Sequence, residues 1–108
     1  MNVTISTRHG SVSEQTQAHL ESKVEKLGRN FDSVTGVDIL IDLANREKPT
    51  LSVTVKQKNL ADAYATIDNT ELLTAMDLAL DKLEQQLRKT KEKKVQEYKK
   101  NLDQFQEQ

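Results

Sequence analysis

The chain has 108 residues, no cysteine, sixteen Lys/Arg against seventeen Asp/Glu, and a formal net charge of −1. That length suits one domain with a modest core, and the missing cysteine excludes a disulfide framework and a thiolate metal site. No segment reads as a signal peptide, an Arg-rich transit segment or a membrane-length apolar run, so a soluble cytoplasmic protein is expected.

Asn2–Thr7 alternates apolar and polar residues, with Val3 and Ile5 on one side, and reads as a strand ending in the turn-like His9-Gly10-Ser11. Ser13 can cap a following helix, because its hydroxyl accepts from an early helical N–H that lacks a partner. Behind it Thr16, Leu20, Val24, Leu27 and Phe31 recur at helical spacing and form one face. Val37, Ile39, Ile41 and Leu43 alternate with Asp38, Leu40 and Asp42 as a second strand. The polar stretch 45–49 holds the only proline and reads as a turn. Leu51, Val53 and Val55 make a third strand. Ala61, Ala63, Ala65 and Ile67 make a fourth, whose small side chains let a helix lie close. Asn69 or Thr70 then caps a long helix, with Leu73, Met76, Leu80, Leu83 and Leu87 as its apolar stripe. A second apolar set, Val95, Tyr98, Leu102 and Phe105, is one residue out of register with the first. It reads as a separate amphipathic stretch.

The element order is β-α-β-β-β-α. A βαβ unit joins parallel strands through its helix, and the short turns after it make an antiparallel meander. The expected fold is α+β, a two-layer domain with a four-stranded sheet and two helices packed on one face. Residues 1–94 form that domain, and residues 95–108 form a helical or partly disordered tail. The other sheet face, carrying Asp38, Leu40, Asp42, Ser52, Thr54, Lys56, Asp62, Tyr64 and Thr66, is polar enough to face water.

Signals for catalysis are nearly absent. His9 and His19 have no partner at a metal-binding or nucleophile-activating spacing. Gly10, Gly28 and Gly36 form no phosphate-cradling loop. Asp38 and Asp42 share a strand face, which reads as solvated rather than as an acid–base pair. No enzyme, cofactor or metal is expected.

The informative feature is charge segregation. Residues 1–81 hold eight Lys/Arg against twelve Asp/Glu; residues 82–100 hold eight against three. Arg88, Lys91 and Lys94 recur along one strip of the last helix, and Lys82, Lys89 and Lys93 along an adjacent one. Several cations on one stiff support suit a polyanion, because each neutralised phosphate releases counterions. Aromatic residues are not interleaved with them, so backbone and shape contacts would carry the binding. The bland alternative is a solvated helix end with pairs such as Glu84–Arg88.

Two strings resemble the ribosome hibernation promoting factor family, also called ribosome-associated inhibitors. Lys23-Val24-Glu25-Lys26-Leu27, leading to Phe31, is similar to a K-x-x-K-L-x-x-x-F pattern in the family's first helix. The run from Asp81-Lys82-Leu83 through Leu87-Arg88-Lys89-Thr90-Lys91-Glu92-Lys93 resembles the second-helix run I-D-K-L-x-R-Q-L-x-K-x-K-x-K. The resemblance covers about residues 2–94. It departs at Glu71-Leu72-Leu73, where the family has Asp-Met-Tyr, and at Gln85, where it has arginine. The resemblance implies a non-catalytic factor that binds ribosomal RNA backbone of the small ribosomal subunit, in the decoding and tRNA region, and inhibits translation under stress. By position, it assigns RNA binding to Lys23, Lys26, Lys82, Arg88, Lys89, Lys91 and Lys93; Lys94 is added on charge. Long members carry an extra dimerisation domain, so this chain looks like a short form. The competing reading is a regulatory module of the same fold that has lost ribosome affinity. It would self-associate or dock a partner helix through Val95, Tyr98, Leu102 and Phe105.

Overall fold

The computed structural model describes the backbone of residues 1–106 and the side chains of residues 1–89. Six elements follow one another: β1 (Asn2–Arg8), α1 (Glu14–Asn30), β2 (Val34–Asp42), β3 (Thr50–Gln57), β4 (Leu60–Asp68) and α2 (Leu72–Gln106). The strands form one mixed sheet in the order β1-β2-β3-β4. β1 pairs parallel with β2, placing Val3 beside Val37 and Ile5 beside Ile39. β2–β3 and β3–β4 are antiparallel, with Ile39 opposite Val53 and Val53 opposite Ala65. This is the expected α+β architecture, and both helices lie on one face.

Period-two alternation decides which face that is. Val37, Ile39, Ile41, Leu51, Val53, Val55, Ala63, Ala65 and Ile67 are all buried. Leu20, Val24 and Leu27 of α1 cover β1 and β2, while α2 covers β3 and β4. Small residues face each other where α2 crosses β4: Ala63 and Ala65 on the strand, Ala75 and Ala79 on the helix. Lys23 of α1 donates to Asp77 of α2 at 2.7 Å, tying the helices together.

Local chemistry sets the boundaries. His9 adopts a left-handed backbone with φ 61°, and Gly10 follows at φ 155°. A Cβ on Gly10 would lie 2.9 Å from Leu43 Cδ1, so only glycine makes this turn without strain. Ser13 has extended backbone, and its Oγ accepts from the Thr16 N–H at 3.2 Å, capping α1 as expected. Before α2, Asn69 Oδ1 accepts from the Glu71 N–H at 3.0 Å. The Glu71 carbonyl then accepts from Ala75 N–H at 2.9 Å. Asn69 therefore shapes an Asx turn ahead of the helix.

Three sequence expectations shift. Leu73 is 38% exposed, and Leu72 packs against the core in its place. Ala75 and Ala79 belong to the buried stripe of α2 and rotate its centre away from Leu73. Ala61 is exposed, because pairing between β3 and β4 changes register between Val55 and Gln57. β2 begins at Val34 rather than Val37, and Val34 is buried.

α2 continues as one helix through position 94 to Gln106. The side chains of Lys91, Lys93, Lys94, Val95, Tyr98, Leu102 and Phe105 lie outside the described residues. Among the described residues no helix is long and apolar enough to cross a membrane.

Candidate nucleic-acid interface

The anchor of the candidate interface is the buried stripe of α2. Leu83 and Leu87 are 0% and 1% exposed and fix the helix on the sheet, while Lys82, Arg88 and Lys89 project from its exposed flanks. Two neighbouring contacts identify the flanks. Asp77 meets Lys23 on α1, and Asp77, Glu84 and Arg88, spaced seven and four, share that side. Gln86 meets the backbone of Tyr64 on β4: its Oε1 accepts from Tyr64 N–H at 3.0 Å, and its Nε2 donates to Tyr64 C=O at 2.8 Å. Lys82 and Lys89 lie four before and three after Gln86, so they run along the β4 side.

The cations therefore form two rows. One comprises Lys26, exposed on the α2-facing side of α1, and Arg88. The other comprises Lys82 and Lys89. Lys26, Lys82 and Lys89 make no ion pair among the described residues. Arg88 Nη2 lies 4.0 Å from Glu84 Oε2, with the arginine side chain 69% exposed. A surface pair of that kind contributes about 0–1 kcal/mol and yields readily to a phosphate. Lys23 differs from the rest. It is only 30% exposed and is compensated by Asp77, so its first role is to position the helices.

Two further cations escaped the sequence reading. Lys58 sits on the β3–β4 turn, which Asn59 closes in left-handed backbone at φ 62°. Its N–H donates to Ser33 C=O at 2.8 Å, holding the turn against the segment that follows α1. Arg29 stands at the end of α1, 3.8 Å from Glu25 and 75% exposed on its side chain. Both lie in residues 1–81, which are net acidic as a whole, and only the topology gathers the end of α1, this turn and the middle of α2 together.

Asp38 pairs with Lys56 at 3.3 Å. Asp42 accepts from Ala44 N–H at 2.9 Å and stands 4.0 Å from His9 Nδ1. His19 is exposed on α1. Among the described residues no group of three or more His, Cys, Asp or Glu could hold a metal ion. The Tyr64 hydroxyl accepts from Thr66 Oγ1 at 2.5 Å. Hydrogen bonding from Ser52, then from Thr66, favours the phenolate and holds Tyr64 below its ordinary value.

Comparison with known proteins gives one consistent picture. The chain is 30% identical over 96 residues to a ribosome hibernation promoting factor from Azotobacter vinelandii, covering 89% of this chain and 88% of that one. It is 34% identical over 95 residues to a ribosome hibernation promotion factor from Bacillus subtilis, covering 86% of this chain but only 50% of the Bacillus protein. Among solved structures, a ribosomal subunit interface protein from Coxiella burnetii superposes with a TM-score of 0.73 at 21% identity. It covers 84% of this chain and 98% of its own. The N-terminal domain of Thermus thermophilus Protein Y superposes with a TM-score of 0.71 at 22% identity, covering 82% and 98%. At these identities the two structures speak to fold, where they match the sheet and helix order described above. Residues 3–95 match the family described as Sigma 54 modulation protein / S30EA ribosomal protein, and with this match spanning most of its length, the chain belongs to that family.

Proposed function

We propose that this chain is a ribosome-binding factor of the cytoplasm. It occupies the decoding and tRNA region of the small subunit through RNA-backbone contacts and inhibits translation when ribosomes stand idle. Membership of the family makes it a binding protein rather than an enzyme. The observation that carries the docking mode is the pair of cationic rows, Lys26 with Arg88 across the two helices and Lys82 with Lys89 along α2, the latter helix immobilised by Leu83 and Leu87. A fixed support lowers the entropy lost when cations engage successive phosphates. Lys26, Lys82, Arg88 and Lys89 are the contacts with described positions, with Lys23 ordering the two helices. Lys91, Lys93 and Lys94 extend the rows on the strength of sequence alone.

The test is co-sedimentation of the protein with small ribosomal subunits across a salt series. Wild-type binding should be saturable and weaken steeply with salt. The double variant Lys82→Glu/Lys89→Glu should bind more weakly, with a shallower dependence of log affinity on log salt, by roughly one unit for each phosphate no longer neutralised. Unchanged affinity and slope in this variant would remove α2 from the interface.

A further inference from the structure

Beneath the basic end of the molecule lies a cavity of about 300 Å³, lined by Asn30, Phe31, Asp32, Ser33, Leu60 and Leu87. Its volume stands at the lower end of the range for small-ligand sites, roughly 300–1,000 Å³. One flat ring suits it better than a whole cofactor. Leu60, Leu87 and the half-buried Phe31 give it an apolar floor with one aromatic ring. Its polar wall is unevenly committed. Ser33 Oγ already donates to Gln57 Oε1 at 2.9 Å. The side chains of Asn30 and Asp32 make no hydrogen bond among the described residues.

The rim identifies the occupant. Each lining segment is flanked in sequence by a cation: Arg29 precedes Asn30, Lys58 lies two residues before Leu60, and Arg88 follows Leu87. All three are exposed. An apolar slot with an aromatic ring, whose lining residues stand within two positions of three exposed cations, fits a base turned out of its stack with phosphates on either side. Asp32 adds a preference. A carboxylate only accepts, so it favours a base edge that presents an amine donor.

We propose that this cavity takes one unpaired, amine-bearing RNA base while Lys58, Arg29 and Arg88 hold the flanking phosphates. The proposal rests on the RNA-docking reading above and adds base recognition to what is otherwise backbone contact.

The experiment titrates the full chain, followed by NMR, with three single-stranded oligonucleotides of equal length: oligocytidine, oligouridine and an abasic strand. Oligocytidine should shift the Leu60 and Leu87 methyl signals and the amides of residues 30–33, and should bind about fivefold or more tighter than the abasic strand. The abasic strand should move signals beside Arg29, Lys58 and Arg88 and leave the Leu60 and Leu87 methyl signals in place. Asp32→Ala should abolish the preference for cytidine over uridine; this residue is exposed and unbonded, so the variant should fold. Equal binding and equal shifts with cytidine and abasic strands would overturn the base site and leave ribosome docking intact. Cytidine and uridine binding alike to wild type would overturn the assignment of Asp32. No binding of any strand at low salt would overturn both the base site and the backbone docking on which it rests.

Discussion

Tyr64 and Lys23 show how neighbours decide what a side chain does. Tyr64 is 54% exposed, and hydroxyl donors from Ser52 and Thr66 favour its ionised form, lowering its pKa from the ordinary 10.0. A lowered folded-state value adds stability only at pH above it; that contribution is lost as pH falls through the folded value and is absent at neutrality. An alkaline absorbance titration should show a Tyr64 wave below the ordinary tyrosine value. The early wave should vanish in Tyr64→Phe and move up on unfolding. A tyrosine wave unmoved by the substitution would mean that these hydroxyls do not act on it. Lys23 was legible from its K-x-x-K-L string as a candidate cation, but its partner Asp77 lies 54 positions away. Only a folded chain shows that one of the two lysines is compensated, while the other makes no ion pair among the described residues.

At the scale of elements, alternation and helical spacing carried nearly the whole fold, because β2, β3 and β4 each have one buried face, β1 a half-buried one, and each helix one apolar stripe. What stayed hidden turned on small residues and bulges. Alanine contributes little to an apolar pattern, yet Ala75 and Ala79 set the rotation of α2 and leave Leu73 outside. A register shift between Val55 and Gln57 does the same for Ala61. The contrast is measurable. Leu83→Ala should lower stability by about 2–5 kcal/mol, through lost transfer energy and a residual cavity. Leu73→Ala should stay within about 0.5 kcal/mol, as a surface change does. Denaturant midpoints at constant slope would report both, and a large loss at Leu73 would restore it to the core. The candidate interface was half legible in the same way. Consecutive cations on α2 announce themselves by local spacing, whereas Arg29 and Lys58 join them only through the end-to-end arrangement of three elements.

Across the whole molecule, charge and shape are divided by position. Arg29, Lys58, Arg88 and Lys89 group exposed cations near the end of α1, the β3–β4 turn and the middle of α2. The opposite sheet face carries Asp38, Asp42, Asp62 and Asp68 and remains in water. On the proposed RNA-docking mode, long-range attraction should orient the protein with the Arg29, Lys58 and Lys89 end first.

The link between Gln86 and Tyr64 has a consequence for assembly. β4 pairs with β3 alone, so its outer edge offers backbone groups to any extended chain that arrives. One amide, mounted on the core helix, takes both the N–H and the C=O at the middle of that edge. A recruited strand would have to evict a side chain of its own host rather than shed water. Gln86→Ala should therefore keep the fold while shortening the lag before fibril formation, followed by dye fluorescence at high protein concentration; an unchanged lag would show that the edge needs no such guard. In the native chain, growth of the sheet from its β4 edge requires Gln86 of α2 to let go first.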